Sequence, residues 1–413
     1  MTAKAQKGSG SLIGAMLLIA GSCVGAGMLA LPIITGLAGF FPSIVMFLIA
    51  WAFMLTSAFL MVEINGWFKA QVNIVSMAGH SLGQLGRSIS WVLYLFLFYA
   101  LSVAYISGSG NLTSTMLGGI LPFTLPDWAG SLFFVGLFGS IVLFGTRQVD
   151  LWNRVLMVGK IVAFLGLVFL GMEHVKPALL EYTDAEYAVF SLPVLIIAFG
   201  FHNMIPSITN YLQGDLKRVK QAIVGGSVFA LVIYLIWEII VLGVVPLEGP
   251  SGIKESLSMD REAAQAMAGV LGVSWISTFA QILAFFAILT SFLAQSLGLV
   301  HFLADGLKKQ ISGSKESLGL CALALLPPLV LALIYPQLFF KALNFAGGFC
   351  ANILFGFLPA MIVWMGRKQT QPTSYRVFGG KPLLISVMVI AVVILLMQLG
   401  TMMGHSYLLS FSN

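Results

Sequence analysis

The sequence predicts an all-α integral membrane protein of about eleven transmembrane helices. Composition is the first reason: 59% of the 413 residues are hydrophobic and only 9% are charged, where a soluble domain carries roughly a quarter charged. The second is the recurrence of apolar runs of about 20 residues, the length that spans a hydrocarbon layer about 30 Å thick at 1.5 Å rise per residue. The third is where the basic residues fall. With the N-terminus inside, sixteen lie in gaps on that side, from Lys4, Lys7 and Lys69 through Arg147 and Lys217 to Arg367 and Lys381. Four lie opposite: Lys176, Lys254, Arg261 and Lys341. That bias is the positive-inside pattern, and it predicts a cytoplasmic N-terminus and, after eleven crossings, a C-terminus outside.

The predicted spans are 11–38, 40–66, 89–112, 129–146, 153–172, 189–211, 222–246, 273–301, 318–335, 342–365 and 382–406. The first run is too long for a signal-peptide core and is expected to stay as the first helix. The outer gap 247–272 is polar enough to suggest a short surface helix. The inside gap 67–88, punctuated by Gly, Ser and Asn, is expected to lie along the membrane or dip into it. Cys23, Cys321 and Cys350 sit within apolar runs without metal-ligand spacing and read as packing residues. The pI near 9.2 reflects topology and not a nucleic-acid surface, because the basic residues form neither one face nor one tail. No metal and no cofactor are expected. One membrane domain, 1–413, with lipid around it accounts for the whole chain.

Two helices carry interruptions. The first contains Gly21-Ser22-Cys23-Val24-Gly25-Ala26-Gly27 and then Pro32, and each glycine weakens a helix by about 1 kcal/mol against alanine. The sixth contains Phe199-Gly200-Phe201-His202-Asn203-Met204-Ile205-Pro206, where the proline lacks the N–H the helical ladder needs. Non-helical backbone at this depth survives only where it lines a cavity or is buried in protein. The interruptions are five helices apart, so two inverted halves would bring them together at the midplane, as in secondary transporters. Freed amides suit a carboxylate and freed carbonyls an ammonium group or cation, and a zwitterionic amino acid offers both. The competing reading is that Gly and Pro simply permit close helix packing.

The stretches GSCVGAGMLALP (Gly21 to Pro32), FGFHNMIPS (Phe199 to Ser207) and TSFLAQSLGLVHFLADG (Thr290 to Gly306) resemble the hydroxy/aromatic amino acid permease family, within the amino acid–polyamine–organocation superfamily. So do YALSVAYISGSG (Tyr99 to Gly110), VDLWNR (Val149 to Arg154) and YRVFGGKP (Tyr375 to Pro382), and the tyrosine and tryptophan permeases are the most similar branch. The resemblance runs nearly end to end. It implies a leucine-transporter-like fold with repeats of about 11–172 and 189–365 and an extra helix near 382–406. It also implies import of an aromatic amino acid, tyrosine first and tryptophan next, across a bacterial inner membrane by proton symport with alternating access. One departure is Asn203, where many aromatic permeases have glycine; a side chain there could narrow the pocket or hydrogen-bond substrate.

On this resemblance Gly25, Ala26 and Gly27, with Ser22, are the expected carboxylate-binding backbone. Phe201 matches a pocket-lining aromatic, and Phe199, Gly200, His202 and Asn203 complete the sixth-helix break. His202 could contact substrate or take a proton, or bond freed backbone as a neutral ring. Tyr99 and Tyr105 lie on the third helix; six apart, they diverge by roughly 120°, so one of them is expected to face substrate. Lys160, about two turns inside the fifth helix, is costly there unless paired, solvated or functional. In proton-coupled relatives a fifth-helix lysine replaces a bound sodium ion; the competing reading is snorkelling to the interface. Gly21, Val24, Ala287, Thr290 and Ser291 form the alternative sodium site. Glu63 and Glu238 suit either a proton path or a structural ion pair. An intramembrane enzyme would need a nucleophile–base or metal constellation that the sequence lacks, and a channel would need a filter-like loop.

Overall fold

The computed structural model describes residues 10–68, 72–118, 125–272, 275–309, 314–368 and 375–403. Lys4, Lys7, Lys69 and the chain beyond Met403, on which part of the expected topology rests, lie outside the described residues. Among the described residues there is no β-strand, only an isolated bridge between Gly39 and Thr183.

The first span is two helices, α1 (Leu12–Cys23) and α2 (Gly27–Thr35), bent by 58° at the glycine-rich break. Ser11 starts α1 by accepting the Gly14 N–H at 3.4 Å, the role of a serine N-cap. Helix α3 (Phe40–Asn65) follows, then α4 (Ile74–Gly118), α5 (Asp127–Leu143) and α6 (Thr146–Gly171). The second interrupted span runs as α7 (Leu192–Ala198), a short turn through His202–Met204, and α8 (Ile205–Tyr211). Then come α9 (Leu216–Val244), α10 (Ile253–Ser258), α11 (Ala263–Leu271), α12 (Trp275–Gly306) and α13 (Ser314–Ile334). The last two are α14 (Phe339–Gly366) and α15 (Gly380–Met402).

Nine helical spans among the described residues are long and apolar enough to cross a membrane, and the bent pair α1–α2 makes a tenth. Helix α5 is apolar but only 17 residues long, so the eleven expected crossings include one short member. Of the apolar stretch in α14, 78% is buried, against 28% in α6 and in α15; α14 is therefore central, and the other two show most of their surface outward. The middle of α14, Ala346–Phe357, is a wide π-helical stretch. Gly347 there lies so close to the Pro193 carbonyl that a Cβ would collide with it.

Both long gaps contain helix. Residues 67–88 are mostly helix: α4 begins at Ile74 and turns at Gly83, whose φ of 71° suits glycine alone. The outer gap holds two short helices, and one face of the second is buried. In α11 the residues Ala263, Ala264, Ala266 and Met267 are fully buried, because this alanine-rich face packs on α12 and on α2. Asp260 receives the Phe339 and Phe340 N–H groups at 2.6 and 3.0 Å and so caps α14. Glu262 caps α11 through the Ala264 and Gln265 N–H groups at 2.6 and 3.0 Å.

Glu63 and Arg367 settle into an ion pair. The guanidinium donates from Nε and Nη2 to the two carboxylate oxygens, both at 2.8 Å, and the Val377 N–H adds a third bond at 2.7 Å. Side-chain exposures of 11% for Arg367 and 2% for Glu63 make this a buried clasp between α3, α14 and the segment before α15. Arg367→Ala leaves Glu63 unpaired and is expected to destabilise the protein by about 3–5 kcal/mol, read as a fall in unfolding temperature in detergent. An unchanged midpoint would mean that the clasp holds nothing.

Glu262 gives a pH prediction. Burial raises its carboxyl to about 7, against the two capping N–H groups that pull it down. A raised carboxyl stabilises the fold fully below its unfolded value and loses that contribution as pH rises through the folded one. Stability is therefore expected to fall from about pH 4.5 to 7, by about 3 kcal/mol at most. Glu262→Gln should flatten that decline in a thermal-melt series across pH.

Candidate functional site

Helix α1 ends where its ladder runs into Gly25, and the freed polar groups are taken up by three other helices. The Val24 carbonyl accepts a bond from Lys160 Nζ of α6 at 2.7 Å. The Ala26 N–H donates to Ser291 Oγ of α12 at 2.9 Å. Tyr234 of α9 places its hydroxyl between the Cys23 carbonyl at 2.7 Å and the Ala198 carbonyl at 2.8 Å. One phenol thus joins the last residue of α1 to the last residue of α7, and the two breaks meet. One turn on, Trp237 Nε1 donates to the Met28 carbonyl of α2 at 3.0 Å. Trp237 and Tyr234 are completely buried.

A Cβ at Gly25 would sit 2.6 Å from Ser291 Oγ, so a side chain there would displace the hydroxyl that meets the Ala26 amide. Gly27 faces Ala198 of α7, with a Cβ reaching its Cα at 3.9 Å. Tyr105 is buried and faces the Ser291 side chain. Ala26, Ser291, Tyr105 and Lys160 therefore gather around one end of the break. Tyr99 stands apart: its hydroxyl donates to the Leu323 carbonyl of α13 at 2.9 Å. Ser22 donates to Ile19 of its own helix at 3.0 Å.

Around the second break, Phe199 packs edge-on against Tyr234 with ring centroids 5.2 Å apart. Phe201 stacks on His202 at 5.3 Å, and His202 lies nearly parallel to Phe355 of α14, 8° apart in plane and 5.1 Å in distance. His202 is fully buried, with the Met54 backbone as the polar group that its ring faces. Gly200 has its space limited by its own turn, the Ile197 carbonyl lying 2.9 Å from a would-be Cβ. Asn203 is exposed.

The oxygens expected for a cation are partly committed. Thr290 donates back to the Phe286 carbonyl at 2.8 Å, a self-contained bond of the kind Ser and Thr make in helices. Val24 already holds the lysine ammonium. Gly21 and Ala287 lie on α1 and α12 beside them.

Sequence reasoning missed Tyr234, Trp237 and Phe355. Tyr234, Trp237 and Glu238 follow the i, i+3, i+4 spacing of one helix face, and a polar atom at each was the available signal. Phe355 gave none among 32 phenylalanines; only the fold sets it on His202.

Access to the two breaks is unequal. Every residue from Met28 to Ile34 is at most 4% exposed, whereas Ser22 and Asn203 are exposed. The break is sealed on the α2 side by α11 and by the segment ahead of α7, where the Asp184 N–H bonds the Ala38 carbonyl at 2.8 Å. A cavity of about 570 Å³ lies beyond that seal, bordered by Leu37, Pro193, Lys254, Asp260, Lys341 and Gln398.

Residues 8–398 match the model of the tryptophan/tyrosine permease family. The chain is 34% identical to the tyrosine-specific transport system 1 of Haemophilus influenzae, over 92% of this chain and 95% of that one. It is 31% identical to the tryptophan-specific transport protein of the same organism, over 97% and 98%. The tryptophan-specific transport protein of Shigella flexneri is 29% identical, over 93% and 94%. With the match running the length of the membrane helices and through both breaks, this chain belongs to the tryptophan/tyrosine permease family.

Proposed function

We propose that this protein imports an aromatic amino acid, tyrosine or tryptophan, by proton symport with alternating access across a bacterial inner membrane. The observation that carries the coupling is the Lys160 ammonium on the Val24 carbonyl at 2.7 Å. A protonated lysine ties α6 to the first-helix break, and a neutral one frees the carbonyl and lets the break move. A proton on one amine is thereby linked to the conformation of the substrate site.

The carboxylate of the substrate belongs at the Ala26 N–H, where the Ser291 hydroxyl now stands in for it, and Tyr105 can donate to the same group. The substrate's ring belongs beside Phe201, His202 and Phe355, whose stacked planes suit an aromatic guest. The buried α2 side and the exposed Ser22 and Asn203 fit a state closed outside and open towards the N-terminal, cytoplasmic face. Sodium coupling through Gly21, Val24, Ala287, Thr290 and Ser291 is the second reading. It is disfavoured because Val24 holds the lysine and Thr290 is bonded to its own helix.

The test is uptake of labelled tyrosine, tryptophan and serine into proteoliposomes, with a proton or a sodium gradient imposed separately. Concentrative aromatic uptake is expected with protons alone; uptake with sodium alone would move coupling to the Thr290–Ser291 site. Lys160→Ala is expected to abolish accumulation against a gradient, and an accumulating variant sinks the lysine mechanism. Ala26→Phe overpacks a fully buried position and should eliminate saturable tyrosine binding. Wild-type affinity in that variant would put the carboxylate elsewhere.

A further inference from the structure

Glu238 lies one position beyond Trp237 on the α9 face that grips the first helix, and it is fully buried in the middle of the fold. Its Oε1 meets the hydroxyl of Thr35, the last residue of α2. The same hydroxyl lies 2.7 Å from the Leu31 carbonyl. A carbonyl can only accept, and a threonine hydroxyl has one proton to give. Both contacts are full two-centre hydrogen bonds at once only when the carboxyl carries its own proton and donates it to Thr35 Oγ1, since otherwise the single hydroxyl proton is divided between two acceptors. The other oxygen, Oε2, has no partner among the described residues, and Glu238 is in none of their ion pairs. A bare carboxylate in this place would be uncompensated.

We propose that Glu238 is a proton-binding site that latches the outer half of the first helix shut. With the proton bound, Glu238 donates to Thr35 and α2 stays on α9. When α2 leaves, outside water reaches the carboxyl, its O–H bond breaks, the proton passes to water, and the hydrated carboxylate holds the outer side open. Tyr234 and Trp237 grip the break and the start of α2 through neutral donors, so Glu238 alone of the three responds to external pH. The proton comes from the side that α2 closes and is separate from the one on Lys160.

Other titratable groups surround α9. They are Cys23 on α1, Glu63 on α3, Arg147, Asp150, Arg154 and Lys160 on α6, Tyr211 on α8, Glu173 and His174 after α6, and Glu262 capping α11. Helix α2 itself contributes none. Glu63 is committed to Arg367; the elements packed on α2 itself carry Lys254 and Glu255 on α10, Glu186 and Tyr187 in the segment ahead of α7, and Glu262 at the cap of α11.

The inference rests on the alternating-access reading, but its readout needs neither substrate nor coupling. Ile34, 4% exposed, is replaced by cysteine in full-length protein whose Cys23, Cys321 and Cys350 have been substituted. Labelling by a membrane-impermeant maleimide from outside is then followed against external pH in proteoliposomes, with aromatic uptake measured in parallel. A one-proton latch changes the open-to-closed ratio by up to about tenfold per pH unit, so labelling is expected to quicken as external pH rises. Glu238→Gln keeps the donor and should label slowly at every pH. Thr35→Val removes the latch and should label fast at every pH, which preserves the test if the glutamine variant does not fold. A pH response retained in both variants, or one lost only in Glu262→Gln, overturns the assignment, as does pH-independent labelling of the parent. Absent proton-driven uptake with a normal labelling response would instead fault the coupling scheme and leave the latch standing.

Discussion

The Tyr234 hydroxyl, shared between the carbonyls of Cys23 and Ala198, is the contact on which this arrangement turns. In a bilayer core no water is available to solvate backbone that leaves a helix, so each broken ladder must find protein partners. Opening two helices at mid-depth frees carbonyls and amides at two separate places in the sequence. A phenol on a third helix shares its single proton between one carbonyl from each, and so fixes the breaks beside each other. Lys160 at Val24, Ser291 at Ala26 and Trp237 at Met28 complete the set. The break is therefore held by side chains of α6, α9 and α12.

The same rule sorts the buried charges. Glu63 is neutralised by a bidentate arginine and a backbone N–H, which makes it a clasp. Lys160 faces a single carbonyl, and Glu238 faces a single hydroxyl. A charge with a full set of partners holds two helices together; a titratable group with one partner can change that partner when it gains or loses a proton. Residues that look alike by sequence as intramembrane charges thus differ in how many partners the fold gives them.

Close packing decides the rest of the geometry. Gly25 lets Ser291 reach the Ala26 amide, and Gly347 lets α14 approach the start of α7. That approach brings the π-helical middle of α14, with Phe355, against His202. The stack is an aromatic surface at the second break that no single element supplies.

Much of the fold was legible in the sequence because the bilayer imposes length and composition on every span. The two interruptions were legible because Gly and Pro act locally on the backbone. Lys160 stood out because charge is rare at that depth. Local rules could not say which partner each freed group takes. Tyr99 and Tyr105 share a helix and a chemistry, yet one bonds α13 and the other faces Ser291. Glu63 and Glu238 were equal candidates until Arg367 and Thr35 were placed beside them. The outer gap read as polar surface, but its alanine face is buried on α2, since burial depends on what a helix meets. Sequence by itself determined the membrane class, the first-helix break and the family. Tertiary structure alone decided the pairings, because a hydrogen bond between residues some two hundred positions apart has no local signature.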